Sequence, residues 1–146
     1  MRPRFWELPL AKLDPEEWEA LCDGCGKCCL NKLEFEDPPE LVFTRVSCRL
    51  LDGHACQCTS YANRHDYVPD CVVLTPKKLK EVAYWLPATC AYRLRHEGKP
   101  LENWHYLISG DRETIHRAGI SMRDRTISEV EVDEDDWEDY MIEDLS

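Results

Sequence analysis

A chain of 146 residues is the size of one ordinary domain, large enough to bury a core without cross-links, so its nine cysteines are a surplus that folding does not require. No stretch approaches the roughly 20 apolar residues that a membrane-spanning helix needs. The opening "MRPRFWELPLAKLDPEEW" breaks its apolar runs with Glu7 and Pro9, unlike a secretory signal. The net charge of −11 is uneven: ten acids and no Lys or Arg lie between Ser128 and Ser146, which leaves the rest of the chain at −1. That balance argues against nucleic-acid binding, which wants a basic footprint, and makes a basic protein the partner that charge would steer.

The first predicted element is a short helix in "LDPEEWEALC", residues 13–22. Asp14 can cap it, Pro15 suits its first position and Glu17 completes a capping box, with Trp18 and Leu21 on one face. Gly24 and Gly26 disfavour its continuation past Cys22. Between Leu33 and Leu51, "LEF" and the β-branched "LVFTRV" read as strands. The segment from Cys48 to Cys71 lacks periodicity and reads as an irregular loop. Thr75 and Pro76 then start a helix that Pro87 stops, and a second helix runs through "ATCAYRLRHEG" to Gly98. "WHYLIS" (104–109) reads as a strand or extended piece, "DRETIHRAG" (111–119) as a short helix, and "TISEVEV" (126–132) as an alternating strand. Together these elements predict an α+β, small, loop-rich single domain over residues 1–132. Short helices and few strands would be organised around a cysteine-rich metal site. Residues 133–146 would form an acidic tail, disordered or weakly helical, presenting Trp137, Tyr140, Met141 and Leu145.

The chemistry is concentrated in "CDGCGKCC", which places Cys22, Cys25, Cys28 and Cys29 within eight positions. Without a secretory signal the expected compartment is the cytoplasm, where dense cysteines serve metal or redox chemistry more often than disulfides. An odd count also leaves one thiol over in any all-disulfide scheme. A Cys-x-x-Cys turn lets two thiolates converge on one ion, and thiolate selects zinc, Cu(I) or iron-sulfur clusters over hard cations. The spacing Cys-x-x-Cys-x-x-Cys opens like a bacterial ferredoxin run. Cys29, however, follows Cys28 at once. In extended backbone these two side chains would point to opposite sides and serve two ions, or two sides of one cluster.

Cys48, Cys56, Cys58 and Cys71 bring the candidate ligands to eight. Such a thiolate density needs N–H donors or cations nearby, for which Lys27, Arg49 and Arg64 are placed. Cys90, inside a predicted helix, reads as a small buried hydrophobe. His54 and His65 could each replace a thiol, although a solvated loop histidine is the commoner case; His105 and His116 read as packing or capping residues. No hydrolase, deaminase or phosphate-cradling motif is present, so no reaction is assigned.

At these residues the chain resembles the YcgN-like proteins within the broader YkgJ-type CxxCxxCC family, described as zinc- or iron-chelating. The likeness rests on "CDGCGKCC", on "CRLLD" with Cys48, on Cys58, Tyr61 and Arg64 in "CTSYANR", and on Cys71. Cys56 matches an extra cysteine of the YcgN-like branch. Downstream, "LTPKKL", "WLPATCAYRL", "WHYLISGD" and "HRAGIS" extend it over nearly the whole chain. One departure is His65 after Arg64, where the wider family often has Pro. The resemblance implies zinc or iron as the metal partner and no established reaction. Two functions follow: a cytoplasmic metal-binding protein, or an iron-sulfur or thiol-redox enzyme using the CxxCxxCC cysteines. Metal binding is expected to couple to folding, because Cys22 to Cys71 are joined by loops of little apolar periodicity.

Overall fold

The computed structural model describes residues 2–36, 39–69, 71 and 74–142. Its helices are α1 (Pro15–Ala20), α2 (Arg64–Tyr67), α3 (Pro76–Val82), α4 (Ala91–His96), α5 (Tyr106–Ser109) and α6 (Thr114–Arg117). Its strands are β1 (Leu30–Glu36), β2 (Pro39–Ser47), β3 (Leu51–Asp52), β4 (Gln57–Cys58), β5 (Ile127–Ser128) and β6 (Met141–Ile142). The fold is α+β, and every element is short. Two compact units divide the chain, one of Met1–Gly24 with Val73–Ile120, the other of Cys25–Val72 with Ser121–Ser146.

The first unit is helical. At α1 the predicted capping box is present: the Asp14 carboxylate accepts from the Glu17 N–H at 2.8 Å, and Glu17 Oε1 accepts from the Asp14 N–H at 3.0 Å. Glu17 is buried, and Arg2 answers its charge with Nη2 at 2.7 Å from Oε1 and Nε at 3.1 Å from Oε2. Two hydrogen bonds to a guanidinium hold that carboxyl near 2, well below its ordinary 4.5. Around α1, α3 and α4 the core collects Leu21, Leu79, Leu86, Ala91, Tyr92 and Leu101. Tyr92 packs tilted against Trp18, ring centroids 4.9 Å apart, and donates its hydroxyl to the Trp18 carbonyl at 2.6 Å, so a buried phenol is satisfied where it packs. Cys90 packs against this cluster as a small apolar side chain.

Two predicted strands are corrected. "WHYLIS" contains helix α5, because buried His105 caps it: ring Nδ1 accepts the Leu107 N–H at 3.1 Å while Nε2 bonds the Leu21 carbonyl at 2.8 Å. In "TISEVEV" only Ile127–Ser128 is strand; Ser128 Oγ then accepts from the Val130 N–H and a 3-10 turn, Glu129–Glu131, takes over. Both reversals come from side chains that hydrogen-bond the local backbone and so compete with a sheet ladder.

The second unit is built on the antiparallel hairpin β1–β2. β2 also pairs with β5 in parallel, Val46 to Ile127, and with β6 antiparallel, Phe43 to Ile142. Leu30, Phe43 and Met122 form its apolar centre, with Ile142 against them. The hairpin carries a bulge: Leu30 pairs with Ser47, yet Lys32 pairs with Phe43. A regular ladder would have set Lys32 opposite Arg45, two like charges on one face. Thr44, fully buried, stitches the bulge by donating Oγ1 to the Asn31 carbonyl at 2.7 Å and accepting the Val46 N–H at 3.3 Å. Arg45 is turned instead toward the Tyr140 ring, 5.4 Å from its centroid. The acidic segment thus carries a 3-10 helix, Glu134–Tyr140, and a strand, β6, joined to this hairpin. Leu145 of the expected tail lies outside the described residues.

Candidate metal centre

Cys29 and Cys48 are 19 positions apart, and the hairpin makes them neighbours. β1 begins immediately after Cys29 and β2 ends immediately before Cys48, where the Cys48 N–H donates to the Cys29 carbonyl at 2.8 Å. From there β3 leads away and β4 returns, with Leu51 paired to Cys58 and the Thr59 N–H bonded to the Leu50 carbonyl at 2.7 Å. The loop expected to be irregular therefore contains a small hairpin that brings Cys58 back beside Cys48. Tyr61 and Arg64 staple the next turn: the Arg64 guanidinium lies 4.1 Å from the Tyr61 ring centroid and donates to the Tyr61 carbonyl at 2.7 Å. After α2, the Cys71 N–H bonds the Val68 carbonyl at 3.1 Å, and His65 Nε2 reaches the Cys71 carbonyl at 2.9 Å. His65 thus positions a cysteine; His54 is exposed and pairs with Asp124 at 3.2 Å.

The CxxCxxCC turn has its own geometry. Gly26 sits at φ +78°, and the Lys27 N–H turns back to the Cys25 sulfur at 3.4 Å. Residues 27–29 are 3-10 helical and not extended, so the Cys28 and Cys29 thiols are not sent to opposite faces. They hydrogen-bond each other. That bond, burial, and the neighbouring thiols of Cys28, Cys48 and Cys58 together push Cys29 far above an ordinary thiol. Burial likewise raises Cys48, with Glu129, Cys58 and Cys71 adding like charge. Cys28, Cys29, Cys48, Cys58 and Cys71 therefore share one electrostatic neighbourhood.

The other three expected ligands have settings of their own. Cys22 is exposed and falls in the first unit, whereas the remaining seven are in the second. Cys25 is buried, its carbonyl accepting the Met122 N–H at 2.9 Å. Cys56 is buried in left-handed backbone, φ +58°; burial raises its thiol while Ser121, Arg123 and the Met122 N–H oppose the rise. Among the described residues, no three His, Cys, Asp or Glu side chains are gathered as a group that could hold a metal ion. The donor set still fits a soft metal by chemistry, being thiols with N–H groups aimed at sulfur: Lys27 at Cys25 and, at 3.5 Å, Leu50 at Cys48.

Two residues at this place escape sequence reasoning. Glu129 is brought from the acidic end of the chain to the Cys48 corner, accepting from the Arg49 N–H at 3.1 Å and from Asn31 Nδ2 at 3.2 Å. Lys32 stands partly buried beside the CxxCxxCC thiols. Burial lowers it to about 8, and the charges of Cys28, Cys29 and Cys25 act against that fall. Nothing in the local pattern marks Glu129; for Lys32 the only signal is its place three residues after Cys29. Of the cations expected from the sequence, Lys27 is buried, Arg49 donates to the Tyr67 carbonyl and Arg64 covers Tyr61.

A hairpin and a cysteine turn that gather thiols in this way define a small cysteine-rich α+β protein. In agreement, residues 21–91 match the CxxCxxCC family, described as "Putative zinc- or iron-chelating domain". The chain is 70% identical over 145 residues to a UPF0260 protein of Rhodobacter capsulatus, covering 99% of this chain and 97% of that protein. It is 58% identical over 140 residues to one of Rhizobium etli (95% and 88%) and 55% identical over 139 residues to one of Pseudomonas aeruginosa (94% and 93%). The chain belongs to the UPF0260 family. No solved structure matches it. No helix among the described residues is long and apolar enough to cross a membrane.

Proposed function

We propose that the protein binds zinc or iron through cysteine thiolates of its second unit, with Cys28, Cys29, Cys48, Cys58 and Cys71 as the primary donors. The observation that carries this reading is the Cys29–Cys48 backbone bond at the open end of the β1–β2 hairpin, with three further thiols in electrostatic range. Like-charged thiolates so close together repel unless a cation stands among them, and a soft dication meets that need. Cys22, Cys25 and Cys56 complete the set of eight; single Ser substitutions separate ligands from packing thiols by the metal content each variant retains. Zinc is the favoured ion, since all-thiolate sites of this kind are typically structural zinc. The work of such a protein is chelation in the reducing cytoplasm, with the acidic segment as a surface for a basic protein partner.

A second reading rests on one contact. The hydrogen-bonded Cys28 and Cys29 thiols also suit an iron-sulfur cluster or an exchangeable redox pair. Anaerobic purification followed by metal and sulfide analysis distinguishes the two. A colourless preparation with stoichiometric zinc supports chelation, a brown one with iron and sulfide supports the cluster, and metal-free protein that takes up neither ion overturns both.

A further inference from the structure

The sheet of the second unit has an open side. Among the described residues β1 pairs with β2 alone, whereas β2 also takes β5 and β6. The Cys48 N–H donates to the Cys29 carbonyl at 2.8 Å, so Leu30 and Ser47 form a pair that exchanges no hydrogen bonds of its own. The main-chain N–H and C=O of Leu30 therefore point away from β2. In agreement, the Leu30 carbonyl accepts from Lys32 Nζ at 2.7 Å, while the next carbonyl, that of Asn31, turns inward onto Thr44 Oγ1. The bulge adds its extra residues to β2, so β1 keeps its alternation, and the main-chain groups of Lys32, Glu34 and Glu36 face outward with those of Leu30. An outer edge seven residues long, exposed from Glu34 to Glu36, is a template for a further strand.

We propose that this edge receives the β1 strand of a second copy of the chain, antiparallel, with the two-fold axis at Leu33. Charge selects the register. An axis at Lys32 or at Glu34 would set that residue opposite its own copy, like charge on like charge. An axis at Leu33 sets Lys32 opposite Glu34 twice, Leu33 opposite Leu33, and Asn31 opposite Phe35, and it uses the whole strand. The Lys32 ammonium then passes from its own Leu30 carbonyl to the facing Glu34 carboxylate, and that carbonyl accepts the Glu36 N–H of the other copy. Phe35, 38% exposed, gains cover. The strands run in opposite directions, so the two Cys29 positions lie roughly 25 Å apart at the rise of a strand, and neither copy lends thiols to the other. The pairing is thus independent of the chelation reading. One strand pair buries little surface, so the dimer is reversible and forms at high concentration.

The test is sedimentation equilibrium of the full-length, reduced protein as purified, from micromolar to near-millimolar concentration. Salt of about 0.15 M confines the repulsion between the acidic segments to short range. The parent should pass from monomer toward dimer across that range. Glu34→Lys, at an exposed position, turns both cross-strand pairs from attraction to repulsion and should weaken self-association by about tenfold. Lys32→Glu should do the same, with Glu against Glu. Mixing these two variants should restore association, because each then meets opposite charge at both positions. Glu34→Pro removes an outward N–H that the β1–β2 hairpin does not use, and should leave a monomer with parental circular dichroism. A parent that stays monomeric throughout overturns the proposal, and so do Glu34→Lys and Glu34→Pro variants that associate as the parent does. A mixture no more associated than its components overturns the Leu33 axis. If Lys32→Glu does not fold, the two Glu34 variants decide. The readout needs no metal, so a failure of chelation leaves this test standing.

Discussion

Gly26 is where the cysteine turn meets the Cys56 loop, and replacing it by alanine separates a backbone requirement from a packing requirement. Gly26 has φ +78°, and a Cβ built there would lie 3.2 Å from the Cys56 Cβ and 3.4 Å from its sulfur. Gly24 has nearly the same backbone, φ +76°, but open space around its Cβ position. Forcing an L-residue into the left-handed region costs roughly 1–2 kcal/mol, and the unfolded-state entropy change of Gly→Ala is common to both sites. The contact with Cys56 adds mild overpacking at Gly26 alone, about 1 kcal/mol at the low end of such effects. Gly24→Ala should therefore be modestly destabilised, and Gly26→Ala should melt roughly 2–4 °C lower still in a chain of this size. Thermal melts of reduced, metal-free protein read the difference. The double variant Gly26→Ala/Cys56→Gly removes the opposing Cβ and relaxes the φ +58° of Cys56, so it should recover most of it. Two alanine variants that melt together would refute the argument, because the Cys56 contact would then carry no energy.

Acid should act through Glu17. Its carboxyl is held near 2 in the folded chain against an ordinary 4.5, so the stabilisation is fully present above about pH 4.5 and is lost as pH falls toward 2. Urea unfolding of parent and Glu17→Gln should differ by a constant amount above that window and converge below it; parallel curves would contradict the assignment. Burial lowers buried His105 from 6.5, so the unfolded chain takes up a proton that the folded one resists, and stability should decline as pH drops below 6.5 in the parent but less in His105→Gln. Cys28→Ser should lose metal and, with it, the metal-dependent rise in melting temperature; a variant that keeps the full rise would remove Cys28 from the ligand set. Ile142→Ala takes a partly buried side chain off Leu30, Phe43 and Met122 and should destabilise the second unit by about 1 kcal/mol or more, whereas an unchanged melt would show the β6 pairing to be incidental.

What the sequence determined by itself was set by interactions that reach only a few residues. The Asp14, Pro15 and Glu17 start of α1 and the Thr75, Pro76 start of α3 are legible because a cap, its ring constraint and its acceptor lie within one turn. The β-branched run of β2 and the thiol chemistry of CxxCxxCC are legible for the same reason. Tertiary structure decided which thiols meet. Cys29 reaches Cys48 through hairpin pairing, Glu129 reaches Cys48 because β5 lies along the end of β2, and Lys32 faces Phe43 because Thr44 stabilises a bulge. Cys56 and Cys28 look alike in the sequence, and only packing sends one into the interior against Gly26 and leaves the other exposed beside Cys29. A side chain's identity carries its chemistry, but its neighbours across 20 or 100 positions of chain are chosen by strand register and by the closing of loops, and no local pattern encodes those choices.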